Sequence, residues 1–308
     1  MALVTRFAPS PSGPLHLGHA YAALVAHEAA RASAGRFLIR IEDLDAGRSR
    51  EAYEAAILED LTWLGLTWDE APLRQSARNH AYAQSLSRLD ALGLVYPCFC
   101  TRREIAAEIA SIGAAPHVNE QTELPPRYPG TCRMLSPAER ERRVREGAPH
   151  VLRLDCEAAI AKATKRGRWP AQFIEAWAAG PGPLALNAQP ELWGDIVLAR
   201  KDAAASYHLA VVVDDAWSHV NSVTRGEDLL SATHIQVLLQ RLLDLPAPVY
   251  GHHPLVRDEA GKRLAKRDSA RALSQLRADG WDGERVRAAL PPLPSIDALI
   301  EAAAITNR

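Results

Sequence analysis

The spacing of hydrophobic residues near the start of the chain predicts a strand, a helix and a second strand. Residues 2–7 form a short apolar run that is typical of a buried strand. The next apolar residues recur at helical spacing, at Leu17, Ala20, Leu24 and Ala29. Gly35 is placed to end that helix, and residues 36–41 then alternate with the period of a strand. This order predicts two parallel strands joined by a right-handed crossover.

Helical and strand patterns continue along the rest of the chain. Helices are predicted at about 50–65, 75–93 and 228–243. Two apolar runs predict further strands, DIVLAR at 195–200 and YHLAVVVDD at 207–215. The segment that begins at Val249 predicts a strand, a turn and a basic loop before another helix.

These elements predict an α/β chain with a Rossmann-type, parallel-sheet nucleotide-binding domain. Residues 1–94 and 190–250 are expected to form that domain. Residues 95–189 hold clustered cysteines, prolines and an irregular stretch, and we expect them to be an inserted subdomain. Residues 251–308 are expected to supply the basic loop and a short helical C-terminal region.

Composition adds limits on where the protein works. The 308 residues are 47% hydrophobic and 24% charged, and they contain no apolar run of membrane-spanning length. The N-terminus lacks the order of a secretion signal. We therefore expect a cytoplasmic monomer with no membrane partner, in which cysteines are not disulfide-bonded.

The net charge of −1 does not indicate a nucleic-acid binder, so a nucleic-acid partner would need a local basic surface. Two runs could supply one: Arg133, Arg140, Arg142, Arg143 and Arg145, and then Lys162, Lys165, Arg166 and Arg168. The alternative interpretation of each run is a solvated helix face.

The segment from Pro9 to Ala20, PSPSGPLHLGHA, carries the strongest chemical signal. It joins the first strand to the first helix, where the carboxyl end of a parallel strand and the positive helix terminus favour a phosphate. Gly18 lets a flat ligand approach the backbone, while His16 and His19 can donate hydrogen bonds to phosphate oxygens. The alternative is that both histidines merely begin the helix.

Charged residues at the ends of the first two strands suggest an amino-acid pocket. Arg6 can bind a carboxylate and Glu42 can hold an ammonium group, although a buried structural Arg–Glu pair would give the same pattern. Asp214 and Asp215 end an apolar run that we predict to be a strand, and a strand-end turn or helix cap is the favoured interpretation. Later in the chain, GKRLAKRD at 261–268 is a basic loop suited to phosphate, or a solvated basic turn.

Three cysteines, Cys98, Cys100 and Cys132, have spacings that a loop can bring together around a tetrahedral zinc ion. The residues alone leave the fourth ligand open among Cys156, His117, His150 and Tyr128. A zinc ion with four protein ligands would be structural. The alternative is a set of free core cysteines.

The segment TRFAPSPSGPLHLGHA resembles the opening of class I aminoacyl-tRNA synthetases of the glutamyl type, with Leu17 in place of the usual Ile. The resemblance implies that His16, Gly18 and His19 bind ATP and that both histidines are catalytic. GKRLAKRD resembles the second motif of that family, which implies ATP binding by Arg263 and a catalytic role for Lys266. Arg263 and Ala265 depart from that motif, which has Lys and Ser at those positions.

The resemblance continues through YHLAVVVDD and TRGEDLL. It implies a glutamate site made of Arg6, Phe7, Ala8, Pro9, Ser10, Glu42, Tyr207 and Arg225. Arg225 is the implied partner of the carboxylate of the substrate. ATP with Mg²⁺ and L-glutamate are the implied small-molecule partners.

Only about 40 residues follow Arg267, too few for the helical anticodon-binding domain of a full glutamyl-tRNA synthetase. The chain therefore resembles the stand-alone, glutamyl-queuosine branch of the family, with an acceptor-like zinc subdomain. That branch pairs Cys-x-Cys with Tyr-x-x-x-Cys, which implies one structural Zn²⁺ on Cys98, Cys100, Tyr128 and Cys132. The implied reaction is ATP-dependent, tRNA-independent formation of glutamyl-adenylate and transfer to queuosine in aspartate tRNA. The alternatives are a truncated glutamyl-tRNA synthetase and an inactive tRNA-binding module.

Overall fold

The computed structural model describes residues 1–112, 127–178, 182–257 and 271–306. Arg263, Lys266 and His117 lie outside these ranges. In the first part of the chain the elements are β1 (Val4–Phe7), α1 (Leu17–Ala32), β2 (Arg36–Ile41), α2 (Glu51–Trp63), β3 (Leu73–Arg74), α3 (Asn79–Ala91), β4 (Val95–Cys98) and α4 (Arg102–Ile112).

The remaining elements alternate helices with short strands. They are α5 (Pro137–Arg145), β5 (Val151–Leu154), α6 (Cys156–Lys165), β6 (Gln172–Glu175), β7 (Leu184–Asn187), β8 (Val197–Ala199), α7 (Tyr207–Trp217), β9 (Ser222–Gly226), α8 (Leu230–Leu243), β10 (Val249–His253), α9 (Leu273–Ala278), α10 (Gly283–Ala288) and α11 (Ile296–Thr306). Within the described ranges, none of these helices has the length and apolar character needed to cross a bilayer.

The parallel strands lie in two groups that meet at β1 and β9. The first group has the order β1-β2-β3 and is parallel throughout, with Arg6 opposite Leu38. In the second group, β10 pairs in parallel with both β9 and β6. Asn221, directly before β9, donates its backbone N–H to the carbonyl of Val4 at 3.2 Å. The strand order therefore reverses beside β1, which is where an open α/β sheet binds its ligand.

The predicted βαβ unit is confirmed by the parallel β1–β2 pair, but Gly35 does not end α1. The helix ends at Ala32, and Ala34 takes the left-handed conformation with φ of 51°. Gly35 is required for another reason: a Cβ there would lie 1.9 Å from the carbonyl oxygen of Leu3. The close approach of two backbones explains this glycine.

The prediction of a strand at 207–215 is wrong, because these residues begin helix α7. The helix is buried from Leu209 through Asp215 in a core shared with α8. A helix buried on nearly all sides reads as a continuous apolar run, which periodicity cannot separate from a central strand. Asp214 and Asp215 are consequently neither a strand-end turn nor a cap. Both are buried helix residues that accept hydrogen bonds from arginines.

A separate antiparallel sheet has the order β4-β5-β8. Strand pairing crosses the predicted boundary near residue 190 in both directions. β6, inside the predicted insertion, pairs with β10 of the parallel sheet, and β8, beyond the insertion, pairs with β5. The domain boundaries stay a prediction.

Candidate active site

His16 and His19 are oriented by the backbone at the start of α1. His16 is the N-cap, and its Nδ1 accepts the backbone N–H of Gly18 at 3.1 Å. The Nδ1 of His19 accepts the backbone N–H of His16 at 3.2 Å, and the two rings lie 3.9 Å apart. Because each Nδ1 is an acceptor, each neutral ring carries its hydrogen on Nε2. The turn therefore places two ring N–H groups at the positive end of a helix.

Gly18 is needed by the histidines themselves. A Cβ at this position would lie 3.0 Å from Cε1 of His16. The segment after residue 270 returns to the same turn: Ala272 forms a β-bridge with His16, and the N–H of Leu273 donates to the carbonyl of Leu15 at 2.8 Å. Ala272 and Leu273, which follow the GKRLAKRD segment by four and five residues, are thus bonded to the chain beside the paired imidazoles.

Arg6 lies in β1 and is occupied by protein partners. Its Nε donates to Asp215 Oδ1 at 3.1 Å and its Nη1 donates to the carbonyl of Thr224 at 3.1 Å. Arg40, on the neighbouring strand β2, also pairs with Asp215 and donates to Glu42 Oε1 at 3.1 Å. Glu42 therefore pairs with Arg40. The sequence left open a buried structural pair between Arg6 and Glu42; a buried pair does exist, but its arginine is Arg40.

These buried charges affect one another's ionisation. Burial raises the pKa of Glu42, against the pull of the Arg40 guanidinium. Burial acts in the same sense on Asp215, but Arg40 and Arg6 together hold the pKa of Asp215 below its usual value. Asp215 is therefore the shared counter-ion of the two arginines, and Glu42 is the carboxylate that reaches the neighbouring cavity.

That cavity has a volume of about 550 Å³ and is lined by some of the residues predicted to bind glutamate. Ser10, Glu42 and Tyr207 line it, together with Cys100 and Tyr128 from the cysteine cluster. Phe7 ends β1, and Ala8 and Pro9 begin the loop that follows it. This loop is hydrogen-bonded to the residue after β2, since the carbonyl of Pro9 accepts the N–H of Glu42 at 3.0 Å. Arg6 and Arg225 are buried and do not line this cavity.

Arg225 lies behind Tyr207 in a buried polar network. Its Nε donates to His252 Nε2 at 3.1 Å and its Nη2 donates to Thr233 Oγ1 at 2.6 Å. Its Nη1 contacts Gln236 Oε1 at 3.0 Å and the Tyr207 hydroxyl at 3.3 Å. Arg40, His252 and Glu175 were not singled out by sequence reasoning. The available signals in the sequence are that Arg40 lies two residues before Glu42, at the end of the predicted strand, and that His252 is the first histidine of VYGHH.

Cys98, Cys100 and Cys132 converge as the spacing predicts, with their sulfurs within 4.8 Å of one another. Tyr128 Oη lies 3.4 Å from Cys100 Sγ and accepts the backbone N–H of Cys132 at 2.8 Å. Thiolates bound to one tetrahedral zinc ion lie about 3.8 Å apart, given Zn–S bonds of about 2.3 Å. Three sulfurs and a phenolic oxygen therefore fit a zinc ion.

Two other residues considered as the fourth metal ligand are not part of this group of ligand atoms. Cys156 lies in the core around α6, where its Sγ contacts the carbonyl of Pro190 at 3.6 Å. The ring of His150 hydrogen-bonds through Nδ1 to the carbonyl of Ala148 at 2.9 Å.

The two basic runs differ in use. In α5, Arg142 pairs with Glu139 and Glu146 at 2.8 Å on an exposed helix face. In the second run, Arg166 donates to the carbonyl of Leu242 and Arg168 to that of Arg241, so both arginines cap the C-terminus of α8. That capping is a structural use that the sequence did not reveal.

An open parallel sheet, with paired histidines capping its first helix at the switch point, defines a class of nucleotide-binding fold. Residues 2–290 match the family model described as tRNA synthetases class I (E and Q), catalytic domain. The chain belongs to this family. It aligns over its full length with the crystal structure of a glutamate tRNA ligase from Elizabethkingia meningosepticum, with a TM-score of 0.73, 25% identity and 69% of that chain covered.

Similarity to one branch of the family is stronger. The chain is 50% identical over 290 residues to the glutamyl-Q tRNA(Asp) synthetase of Rhodobacter capsulatus, which covers 92% of this chain and 98% of the relative. It is 42% identical to the glutamyl-Q tRNA(Asp) synthetase of Symbiobacterium thermophilum, covering 92% of this chain and 84% of the relative. The predicted resemblance to the glutamyl-queuosine branch is confirmed.

Proposed function

We propose that the chain activates L-glutamate with ATP, without tRNA, and transfers the glutamyl group to the queuosine base in the anticodon of aspartate tRNA. The observation that carries this proposal is the match to 98% of a relative named for that reaction. The structure adds a pair of N–H donors at the helix terminus and a polar cavity of a size suited to a small ligand.

In the first step, a carboxylate oxygen of glutamate attacks the α-phosphorus of ATP, and pyrophosphate leaves. The Nε2–H groups of His16 and His19 would donate to phosphate oxygens as negative charge develops there. Mg²⁺ bound with ATP would neutralise part of that charge. Arg263 and Lys266 are proposed to bind the phosphates on the other side, although both lie outside the described residues.

In the second step, a hydroxyl of the queuosine ring attacks the activated carbonyl carbon and AMP leaves, taking the hydroxyl proton on its phosphate. No protein nucleophile is needed, so catalysis depends on positioning and on charge stabilisation. Glu42, Ser10 and Tyr207 would contact glutamate directly, since they line the cavity. The site would also depend on residues that do not line the cavity. The buried arginines Arg6 and Arg225 would support its wall, and the backbone of Phe7, Ala8 and Pro9 would position the loop beside it.

We further propose that Cys98, Cys100, Tyr128 and Cys132 hold one structural Zn²⁺. The donor set and the converging sulfurs support this proposal. Metal analysis of the purified protein should give about one zinc per chain, and Cys132→Ser should lower that value. A zinc content near zero in the intact protein would leave the cluster as free core cysteines.

The function is tested by incubating the protein with ATP, labelled glutamate and aspartate tRNA that contains or lacks queuosine. Label should enter only the queuosine-containing tRNA, and nuclease mapping should place it in the anticodon fragment. Label at the 3′ end would instead make the protein a truncated glutamyl-tRNA synthetase. Absence of glutamate-dependent ATP–pyrophosphate exchange would leave an inactive tRNA-binding module.

A further inference from the structure

Arg153 is a buried cation that forms no ion pair with a carboxylate of the described residues. It lies in β5 and is only 8% exposed. Its Nη1 donates to the backbone carbonyl of Asp195 at 2.7 Å, and its buried Nε has no hydrogen-bond partner in the described part of the chain. A buried charge without a counter-charge is costly, so another group has to offset it.

The carboxylate of Asp195 is engaged by other groups. Oδ2 accepts from the Tyr96 hydroxyl at 2.6 Å, and Oδ1 accepts from the backbone N–H of Cys156 at 3.0 Å. The arginine that forms an ion pair with this carboxylate is Arg133, at 3.6 Å. Arg153 therefore uses the backbone carbonyl of Asp195 and not its carboxylate.

The guanidinium of Arg153 is stacked on a proposed zinc ligand. Its Cζ lies 4.0 Å from the centroid of the Tyr128 ring. The Tyr128 hydroxyl lies 3.4 Å from Cys100 Sγ, and both of these side chains line the same cavity as Arg153. An aromatic face attracts a cation but carries no net charge, so the ring offsets only part of the cost of burial.

Two more guanidinium groups lie against aromatic rings of this cluster. Arg140 lies over Tyr96 at 5.9 Å and Arg143 lies over Phe99 at 5.6 Å. Both rings pack in the core that contains Cys98, Cys100 and Cys132. Arg143 is neutralised by Glu139 at 2.6 Å, whereas Arg140 forms no ion pair within the described ranges. Two arginines without a carboxylate partner therefore border the cysteine cluster.

We propose that Arg153 is the counter-charge of the zinc centre. Zinc is bound by thiolates, and three of them leave the centre negatively charged even before a phenolate is counted. The loaded centre would supply the negative charge that the surroundings of Arg153 lack, and Arg153 would strengthen zinc binding in return. Because it touches a ligand and not the metal, Arg153 is a positioning residue that sets the zinc affinity. This inference rests on the proposed zinc site.

A matched pair of variants isolates the charge. Arg153→Gln removes the charge but keeps a side-chain N–H for the carbonyl of Asp195, and Arg153→Lys keeps both the charge and an N–H. The affinity for Zn²⁺ is measured by competition with a chromophoric chelator at fixed pH. Arg153→Gln should raise the Kd for Zn²⁺ about 10–100-fold, the range for loss of a partner outside the ligand set. Arg153→Lys should lose much less affinity, and equal losses in the two variants would overturn the proposal.

Arg142→Gln is the control, because it removes an exposed charge of α5 that is paired with Glu139 and Glu146. It should leave the Kd for Zn²⁺ unchanged. Unfolding by denaturant, with zinc removed and with saturating Zn²⁺, separates the proposed role from a structural one. Arg153→Gln should reduce the stabilisation that Zn²⁺ adds. Equal loss of stability in both forms, with an unchanged Kd, would make Arg153 a packing residue and overturn the proposal.

Arg153 also lines the cavity assigned to glutamate, so the KM for glutamate is measured in the same variants. A raised KM for glutamate with an unchanged Kd for Zn²⁺ would assign Arg153 to the cavity and overturn the proposal. Should Arg153→Gln fail to fold, Arg140→Gln should weaken Zn²⁺ binding in the same direction, and an unchanged Kd there would overturn it too. A wild-type protein that binds no Zn²⁺ contradicts the proposed zinc site and this inference together, whereas equal zinc affinity in wild type and Arg153→Gln contradicts this inference alone.

Discussion

The two halves of the candidate active site are held in place in different ways. The half that holds His16 and His19 is local, because its hydrogen bonds join residues two or three positions apart at the start of one helix. The half that holds Tyr207 is assembled from separate strands and helices. An ion pair joins Arg6 to Asp215, 209 positions apart, and a hydrogen bond joins Glu175 to His252, 77 positions apart.

This difference has an energetic consequence. A side chain in the local half can change with little effect on the rest of the fold, because backbone groups supply its partners. A side chain in the long-range half neutralises buried charge, so its removal leaves another charge without a partner. Changes in the first half should therefore separate activity from stability, and changes in the second half should affect both.

The largest effect is expected from Asp215→Ala. Asp215 is 6% exposed and is the shared counter-ion of Arg6 and Arg40. Its removal leaves two buried guanidinium groups, of which Arg40 keeps the ion pair with Glu42. We expect the free energy of unfolding, measured by denaturant titration, to fall by about 3–5 kcal/mol. Asp45→Ala, which breaks an exposed pair with Arg48, is the control and should change the free energy of unfolding far less, because solvent screens an exposed ion pair. Equal effects would show that the network does not hold the long-range half.

In the local half, His16→Ala should lower glutamate-dependent pyrophosphate exchange about 10²–10³-fold, as expected for loss of one donor to a developing negative charge. Stability should fall by about 0.5–2 kcal/mol, because the N-cap of α1 is lost. His16→Asn supplies a different capping side chain and lacks the Nε2 donor. It should keep the stability of the wild type and the low activity of His16→Ala, as measured by thermal melting and exchange assays. Full activity in His16→Asn would assign the histidine to capping alone.

The same contrast explains which parts of the site could be predicted from sequence. His16, Gly18 and His19 form one contiguous motif, and the cysteine pair with Tyr-x-x-x-Cys requires only two short segments to meet. Arg40, Glu175 and His252 come from three strands, and no spacing along the chain reveals that their side chains converge. Helix α7 was mistaken for a strand for a related reason: burial on nearly all sides is set by α3 and α8, which pack on it.

The local half has one support that is distant in sequence, the return of Ala272 and Leu273 to the histidine turn. Leu273 begins α9, whose Arg277 lies 3.8 Å from Asp60 on α2. Asp60 is 1% exposed, and burial raises its pKa to about 6. The carboxyl group is therefore harder to ionise in the folded protein than in the unfolded chain, where its pKa is about 4.

Asp60→Asn should stabilise the protein at neutral pH. In the wild type, the contribution of Asp60 to stability is greatest below about pH 4 and decreases as the pH rises to about 6, because ionisation is penalised in the fold. The variant lacks that titration, so its advantage should be absent near pH 4 and reach about 3 kcal/mol above pH 6. Unfolding measured at pH 4 and pH 7.5 checks this. An advantage that is the same at both pH values would assign the effect to packing.

The smallest effect is expected from Gly18→Ala, which tests how closely the histidine turn is packed. The new methyl group would lie 3.0 Å from Cε1 and 3.2 Å from Nδ1 of His16, so the ring must shift by a few tenths of an ångström. Alanine is the better helix former, by roughly 0.5–1 kcal/mol, so stability should be equal to or slightly above that of the wild type. The displaced Nε2 donor should lower exchange by roughly tenfold. Gly182→Ala meets no atom within 4 Å and is the matched control, for which exchange should be unchanged. A Gly18→Ala protein that is more stable but has reduced exchange would show that glycine orients the imidazoles at a cost in helix stability. Unchanged exchange would show that the turn tolerates the shift of the His16 ring.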